Sequence, residues 1–225
     1  MIGVVVLARE DSERLPRKHL YPIDGAKSAL EVLLQRIKGG FGVADEYVVA
    51  TPSRLYGDLA KACGWDVYLS QAMPLERVWR ASLGWGIVAV VNGDSPLIEW
   101  NVIEQLLKLQ RGIDMAYCSG PSGMRAKVIA GKALNHWYRW VEAQAEHVLS
   151  GLTGGSGLVA EALNLGPCAE RFTIDDYDDV RFIRYLCQEL GTDCPAQDYI
   201  RFVGDNPNVR ASLAQGHTGV NRAPS

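Results

Sequence analysis

Several features that would assign a function directly are absent from this chain of 225 residues. No Gly-x-Gly-x-x-Gly follows the first apolar segment, which argues against a dinucleotide-dependent dehydrogenase. No Gly-x-x-x-x-Gly-Lys-Ser/Thr occurs, which argues against a P-loop ATPase. The five cysteines include no Cys-x-x-Cys pair and lack the histidine spacing of a zinc site. They are therefore expected to be reduced thiols in or near the core.

An excess of positive charge is also lacking, since 23 Lys and Arg stand against 26 Asp and Glu. Proteins that hold nucleic acid need a basic surface, so no nucleic-acid partner is expected. No apolar run is long enough to cross a bilayer. The apolar start of the chain has no basic stretch before it and meets Arg9, Glu10 and Asp11 at once, so it is interpreted as a strand and not as a signal peptide. A cytoplasmic protein without a membrane partner is expected.

Apolar residues are plentiful, at 48% of the chain, and allow one sizeable core. Runs rich in β-branched residues alternate with segments of helical spacing, which predicts an α/β fold with a mainly parallel sheet. The predicted strands cover residues 2–8, 46–51, 66–69, 86–91, 114–118, 126–130 and 171–174, and the predicted helices cover residues 30–37, 54–63, 75–83, 100–109, 132–149 and 180–190. One domain, residues 1–203, is expected, followed by a polar C-terminal tail, residues 204–225.

Ligands of such sheets bind beyond the carboxyl ends of the strands, so the loops after residues 8, 91 and 174 are candidate sites. The first loop carries four cations within ten residues, and closely spaced cations suit a triphosphate. These cations are Arg9, Arg14, Arg17 and Lys18. Acidic residues lie among them, however, and a solvated, self-neutralised loop explains the charges equally well.

Carboxylates mark the other two loops. Asp94 follows an apolar strand, where it could hold a divalent ion such as Mg²⁺, although an Asx-turn or a helix cap would also account for it. Asp175 opens an acidic run that in part caps the helix after it. Two carboxylates together with phosphate oxygens and waters form a typical Mg²⁺ shell. The three loops together predict a site for a metal-bound phosphate compound.

The first loop resembles the signature of cytidylyltransferases that activate sugar acids, the family of CMP-Kdo synthetases and acylneuraminate cytidylyltransferases. The matching residues are Arg9-x-x-Ser12-x-Arg14-Leu15-Pro16-x-Lys18. Residues 93–98 and 172–180 resemble later segments of the spore coat polysaccharide biosynthesis type. The resemblance implies a three-layer Rossmann-like, glycosyltransferase-A-like fold with a mixed, mostly parallel sheet, together with Mg²⁺ dependence and a homodimer. It also implies transfer of CMP from CTP to a sugar or sugar acid for surface polysaccharide synthesis, with release of pyrophosphate.

The resemblance also implies roles for individual residues. Lys18, Arg9 and Asp94 would be catalytic, and Asp94 and Asp175 would hold the metal. Nucleotide-binding positions would be Leu7, Ala8, Arg9, Ser12, Arg14, Lys18, Ala50, Thr51, Arg77 and Asp94. A solvent-facing helical arginine is the other interpretation of Arg77. Arg17 departs from the family, which usually has glycine there.

Two other functions stay open at this point. One is a transferase of the same fold that uses another nucleotide, such as UTP or GTP, or a nucleotide sugar. The other is a nucleotide-binding homologue without catalytic activity. The first loop is poorer in glycine than is usual in pyrophosphorylases that use UTP or GTP, which favours CTP.

Overall fold

The computed structural model describes residues 1–39, 44–140 and 159–214. Nine strands lie within these ranges: Ile2–Leu7 (β1), Pro22–Asp24 (β2), Lys27–Ser28 (β3), Glu46–Thr51 (β4), Asp66–Leu69 (β5), Ile87–Asn92 (β6), Met115–Ser119 (β7), Ala126–Ala130 (β8) and Ala160–Asn164 (β9). The helices there are Ala29–Lys38 (α1), Arg54–Ala62 (α2), Pro74–Ala81 (α3), Trp100–Leu109 (α4), Gly131–Trp140 (α5), Tyr177–Leu190 (α6), Ala196–Asp205 (α7) and Val209–Ala214 (α8).

Seven of these strands form one mixed sheet in the order β5-β4-β1-β6-β8-β7-β9. β5, β4, β1 and β6 are parallel, β8 runs antiparallel to both of its neighbours, and β9 pairs in parallel with β7. Leu7 pairs with Ala50 on one side and with Asn92 on the other. The loops that follow β1, β4 and β6 therefore leave the sheet side by side, which confirms the predicted mixed, mostly parallel arrangement.

Helices cover both faces of this sheet. One apolar cluster joins it to α1, α2, α4, α6 and α7, and a smaller cluster joins the other face to α3 and α5. Because the central strands are covered on both sides, their residues are apolar without alternation, and Val4, Val5 and Val6 are fully buried. The fold thus has the three layers that the family resemblance implies.

The prediction of a strand at residues 171–174 is wrong. Phe172 and Ile174 are fully buried, which explains the apolar alternation. Their backbone N–H groups, however, donate to isolated carbonyls of two loops, those of Ser122 (2.6 Å) and Asp94 (2.9 Å), and not to a neighbouring strand. The late strand of the sheet is β9, which sequence analysis missed because it is a largely exposed edge strand without an apolar pattern.

The ends of two predicted segments lie outside the described residues. Helix α5 is described to residue 140, so the part of the predicted helix at 141–149 is not covered. Of the expected tail, residues 204–214 are described, and they end α7 and form α8, in which Leu213 is buried. The domain boundary at residue 204 stays a prediction. In the described ranges, no helix is both long and apolar enough to span a membrane.

All five cysteines are free thiols in the structure. Burial raises the pKa of the Cys118 thiol to about 11 and that of Cys187 to about 12. A protonated, buried thiol is a poor nucleophile. These two residues are therefore core residues and not candidates for covalent catalysis.

Candidate active site

A buried lysine connects the first loop of the chain to two distant aspartates. The ammonium of Lys18 lies 2.7 Å from Oδ2 of Asp94 and 3.0 Å from Oδ1 of Asp175. The Lys18 side chain is 9% exposed, and the two carboxylates are each 22% exposed. Three predicted site residues from separate segments of the sequence thus converge on one atom at the carboxyl edge of β1 and β6.

The position of Lys18 depends on an unusual backbone conformation at the residue before it. Arg17 has φ 56° and ψ 30°, and it is the one described non-glycine residue with positive φ. Glycine adopts this left-handed conformation without a steric cost, so the geometry accounts for the glycine that the family usually has here. The turn that follows, Lys18–Leu20, is a 3₁₀ helix that directs Lys18 into the site.

The Arg17 side chain is directed to another acidic residue of its own loop. Its Nε lies 3.0 Å from Oε1 of Glu10, and its backbone N–H donates to the Glu10 carbonyl (3.1 Å). Glu10 also accepts a hydrogen bond from the hydroxyl of Ser53, the N-cap of α2 (2.5 Å). Arg17 therefore closes the first loop on itself, and the loop is attached to α2 through Glu10.

Asp94 is placed by a tight contact between β1 and the turn after β6. The N–H of Gly93 donates to the carbonyl of Leu7 (2.7 Å). A Cβ at residue 93 would lie 2.8 Å from that oxygen and 3.0 Å from the His19 ring, so a larger residue would push the turn away. Gly93 thus allows Asp94 to lie directly beside the first loop.

His19, which sequence analysis did not single out, packs below this turn. It is 3% exposed and makes an edge-to-face contact with Tyr56, with ring centroids 5.2 Å apart. Burial lowers its pKa from 6.5 to about 4, although nearby Asp94 opposes the shift. The ring is therefore neutral at pH 7 and supports the site by packing. No sequence motif marks it, because its burial follows from the 3₁₀ turn.

The lowered pKa of His19 predicts acid sensitivity of the fold. Below pH 6.5 His19 is protonated in the unfolded chain but stays neutral in the folded chain. Its contribution to stability is therefore fully present above pH 6.5 and is lost as the pH falls toward 4. We expect the free energy of unfolding to fall by about 2 kcal/mol between about pH 6.5 and pH 5 from this residue. Urea unfolding of the wild type and of His19→Gln measures it. Equal pH slopes for the two proteins would contradict the assignment.

Asp175 reaches the site although no strand precedes it. The N–H of Ile174 donates to the backbone carbonyl of Asp94 (2.9 Å), which places the two aspartates next to each other. On the other side of this segment, Gly123 has φ 86°, and a Cβ there would lie 2.1 Å from the carbonyl carbon of Phe172. The loop after β7 thus packs directly against the backbone that carries Asp175, and this contact requires glycine.

The other predicted cations lie at the opening of the site. Arg14 Nη2 lies 3.2 Å from Oδ2 of Asp175, and the Arg14 side chain is 63% exposed. Arg9 is exposed, and Ser12 is half-buried. Exposed guanidinium groups next to a carboxylate pair can bind an anionic ligand that approaches from solvent.

The remaining predicted nucleotide-binding residues lie where β1 and β4 end. Ala8, Ala50 and Thr51 are buried and Leu7 is half-buried, so they can offer mainly backbone groups. Arg77 of α3 is 4% exposed, and its Nη1 donates to the carbonyls of Ala8 (3.3 Å) and Ala50 (3.1 Å). The interpretation of Arg77 as a solvent-facing arginine is therefore wrong, since α3 directs it inward below the first loop.

A cavity of about 440 Å³ opens beside the two loops that carry the aspartates, where Ser95 and Thr173 line it. Its polar lining includes Asn92, Ser95, Ser119, Ser122, Thr173, Arg125 and Lys127. Burial together with nearby Arg125 lowers the pKa of Lys127 from 10.5 to about 8. Hydroxyl and amide groups together with two cationic side chains suit a polyhydroxylated, anionic ligand.

The two aspartates fit the chemistry of a divalent ion, although in the described residues no three or more His, Cys, Asp or Glu side chains are arranged to hold a metal ion by themselves. Asp94 and Asp175 supply hard oxygen ligands, and their oxygens already converge on the single cationic atom of Lys18. Mg²⁺ is commonly held by one or two carboxylates, with substrate phosphates and waters completing the shell. The site therefore fits a metal that arrives with a phosphate-bearing ligand.

Comparison with known proteins places this chain near the cytidylyltransferases. No family model matches it. A 3-deoxy-manno-octulosonate cytidylyltransferase of Francisella tularensis subsp. tularensis is 36% identical over 116 residues, which cover 48% of this chain and 45% of the relative. A similar enzyme of Acinetobacter baumannii is 34% identical over 128 residues, covering 53% of this chain and 49% of the relative. The chain thus matches about half the length of these curated relatives.

Solved structures extend the likeness to the whole fold. A cytidylyltransferase of Leptospira borgpetersenii serovar Hardjo-bovis superposes with a TM-score of 0.79 and 21% identity, covering 100% of this chain and 98% of the other. A CMP:2-keto-3-deoxy-manno-octonic acid synthetase complexed with CTP has a TM-score of 0.69 and 16% identity, covering 84% and 98%. A Mycobacterium tuberculosis H37Rv protein in complex with manganese has a TM-score of 0.60 and 16% identity, covering 82% and 97%. These likenesses confirm the Rossmann-like nucleotidyltransferase fold, and with the curated relatives they confirm the resemblance of this chain to the cytidylyltransferase family.

Proposed function

We propose that this chain is a metal-dependent cytidylyltransferase that transfers CMP from CTP to a sugar or sugar acid and releases pyrophosphate. The observation that carries the proposal is the Lys18 ammonium held between the carboxylates of Asp94 and Asp175. Such an arrangement supplies both parts that a nucleoside triphosphate needs, a cation for its phosphates and two oxygen ligands for its metal.

The proposed reaction is an in-line displacement at the α-phosphorus. A hydroxyl of the acceptor attacks and loses its proton to solvent, the bond between the α-phosphorus and the oxygen that bridges to the β-phosphorus breaks, and pyrophosphate leaves with the electron pair. Little covalent chemistry falls to the protein, whose task is to position the reactants and neutralise charge. Lys18 would stabilise the leaving pyrophosphate, and Arg14 and Arg9, at the opening, would hold the outer phosphates.

Asp94 and Asp175 would hold Mg²⁺, which when bound polarises the α-phosphate. The same oxygens that now accept from Lys18 would serve as its ligands, so Lys18 becomes available to phosphate. The manganese-bound structural neighbour supports the use of a divalent ion at this fold.

CTP is the favoured donor for two reasons. A structural neighbour was solved with CTP, and the curated relatives are named for cytidylyl transfer. Arg77 is also buried where β1 and β4 end, and its Nε has no hydrogen-bond partner in the described part of the chain. A buried guanidinium donor beside backbone groups is suited to a pyrimidine carbonyl, which cytosine and uracil share, so the choice of CTP over UTP is supported by the relatives alone.

The cavity beside the aspartates is the proposed acceptor site. Its hydroxyl and amide groups suit the hydroxyls of a sugar, and Lys127 suits an acid group. A sugar acid destined for surface polysaccharide is therefore the acceptor that we propose. A homodimer and a cytoplasmic location, as the resemblance and the composition suggest, complete the proposal.

The function is tested by measuring pyrophosphate release with CTP, UTP, GTP or ATP, Mg²⁺ and a panel of eight- and nine-carbon sugar acids. We expect turnover with CTP and at least one acid, and none without metal. Turnover with UTP or GTP alone would assign a different donor to the same fold. Failure of every nucleotide to bind in a thermal-shift assay would support a protein that is not an enzyme.

Replacing Lys18 by methionine is expected to weaken CTP binding by about 10- to 100-fold, because a hydrogen bond to a charged group contributes about 1.5–3 kcal/mol. Calorimetric titration with CTP and Mg²⁺ measures the affinity. Lys27→Met is the matched control, since Lys27 is 49% exposed on β3 and pairs with Asp24. CTP affinity that is equal in Lys18→Met and the wild type would rule out the phosphate role of Lys18.

A further inference from the structure

Behind the site lies a buried carboxylate that belongs to neither the metal nor the nucleotide. Asp179, in the first turn of α6, is fully buried. Its Oδ2 accepts from the backbone N–H groups of Asp175 (2.8 Å) and Asp176 (3.1 Å). A capping box with Asp176 explains the second bond, but the bond to the N–H of Asp175 reaches one residue further, to the residue that faces Lys18.

Two arginines compensate the charge of Asp179. Oδ1 accepts from Nε of Arg171 (2.9 Å) and from Nη1 of Arg210 (2.7 Å). Arg210 lies on α8, in the segment that the sequence presents as a polar tail. A buried carboxylate is costly unless it is paired and hydrogen-bonded, so Asp179 depends on both guanidinium groups for its position.

Arg210 also contacts groups other than the Asp179 carboxylate. Its Nη2 donates to the backbone carbonyl of Arg171 (2.8 Å), its Nε lies 2.6 Å from Glu170, and its guanidinium lies 4.3 Å from the ring centroid of Phe182. The arginine thus contacts both ends of the segment that carries Asp175. At the middle of that segment, the N–H of residue 174 is bound to the carbonyl of Asp94.

From these contacts we infer that Arg210 is a positioning residue for Asp175 and acts through Asp179, so that helix α8 is part of the active-site support. The inference rests on the proposed function. With the backbone N–H of Asp175 fixed by Asp179, the carboxylate is held toward Asp94, as a pair of metal ligands requires. Loss of Arg210 would leave Asp179 buried with one arginine, and the segment would shift to relieve that charge.

The test is direct binding of Mn²⁺ in the presence of CTP, followed by the loss of the free-ion signal in electron paramagnetic resonance. We expect Arg210→Met to bind Mn²⁺ about 10- to 100-fold more weakly than the wild type, the usual effect of removing a group that orients a metal ligand. Arg210→Lys keeps the charge but lacks the planar fork, so an intermediate affinity is expected.

Two controls separate positioning from general stability. Arg201→Met removes an exposed arginine of α7 that pairs only with Asp198 among the described residues, and it should leave Mn²⁺ affinity unchanged. Val203→Ala opens a cavity under α7 and lowers the melting temperature without touching Asp179. If Arg210→Met lowers the melting temperature while its folded fraction keeps wild-type Mn²⁺ affinity, the inference is overturned. If the wild type itself binds no Mn²⁺ with CTP, the proposed function fails and the inference fails with it.

Discussion

Asp94→Asn is expected to lower kcat/KM for CTP by about 10³-fold or more in the pyrophosphate-release assay. The amide has the size of the carboxylate but carries no charge, so the proposed metal loses one of its two protein ligands. Removal of a single preorganised electrostatic contact already costs about 10²–10³-fold in other enzymes. The backbone carbonyl of residue 94 still accepts from Ile174, so the segment keeps its place.

The matched control is Asp66→Asn, because Asp66 is exposed at the start of the edge strand β5 and lies away from the site. It should retain wild-type activity. The melting temperature of Asp94→Asn should stay close to that of the wild type, since no core packing is changed. Wild-type turnover by Asp94→Asn with its cognate acceptor would exclude Asp94 as a metal ligand.

Arg36→Met is expected to lower the free energy of unfolding by about 3–5 kcal/mol, more than any other substitution named for this protein. Arg36 of α1 is 9% exposed, and its guanidinium donates to the carbonyls of Leu97 (2.8 Å), Ile98 (3.3 Å), Cys194 (2.9 Å) and Thr192. Methionine keeps the apolar stem and leaves these buried carbonyls without a donor. Thermal unfolding should therefore shift downward by roughly 10 °C for a chain of this length.

Arg80→Met serves as the control for the loss of a guanidinium. Arg80 pairs with Glu76 on the exposed face of α3, where a salt bridge contributes little, so no measurable change in melting temperature is expected. Equal melting temperatures for Arg36→Met and the wild type would show that water satisfies the freed carbonyls.

Most strands and helices could be predicted from local patterns, and the convergence of the first and second loops could be predicted from the topology of a parallel sheet. β4 has the predicted bounds, because its β-branched residues form a run that stops at Pro52 and so favours a strand over a helix. Lys18 and Asp94 are close because the carboxyl ends of parallel strands share one edge of the sheet. Their catalytic and metal-binding roles stay predictions until the variants are measured.

What could not be predicted depends on contacts between distant segments. Residues 171–174 have the apolar pattern of a strand. The hydrogen bonds that decide their structure, however, are made with the loops of Ser122 and Asp94, about 50 and 80 positions earlier in the chain. No local pattern encodes such partners. Nothing in the sequence distinguishes three largely buried arginines from surface arginines, because helical spacing alone does not reveal which carbonyls lie nearby. These are Arg36, Arg77 and Arg210. Composition likewise marks the last segment as polar, although Leu213 is buried.

The ammonium of Lys18 acts as an internal counter-ion for the two aspartates. A metal ion that arrives alone would have to displace this ammonium from the two carboxylates, and the ammonium would then have no anion to pair with. A metal ion that enters together with a triphosphate brings both partners at once, oxygen ligands for itself and a negative charge for the lysine. Under the proposed function, the metal ion and the nucleotide should therefore bind together, and the protein without nucleotide should have little affinity for the metal ion.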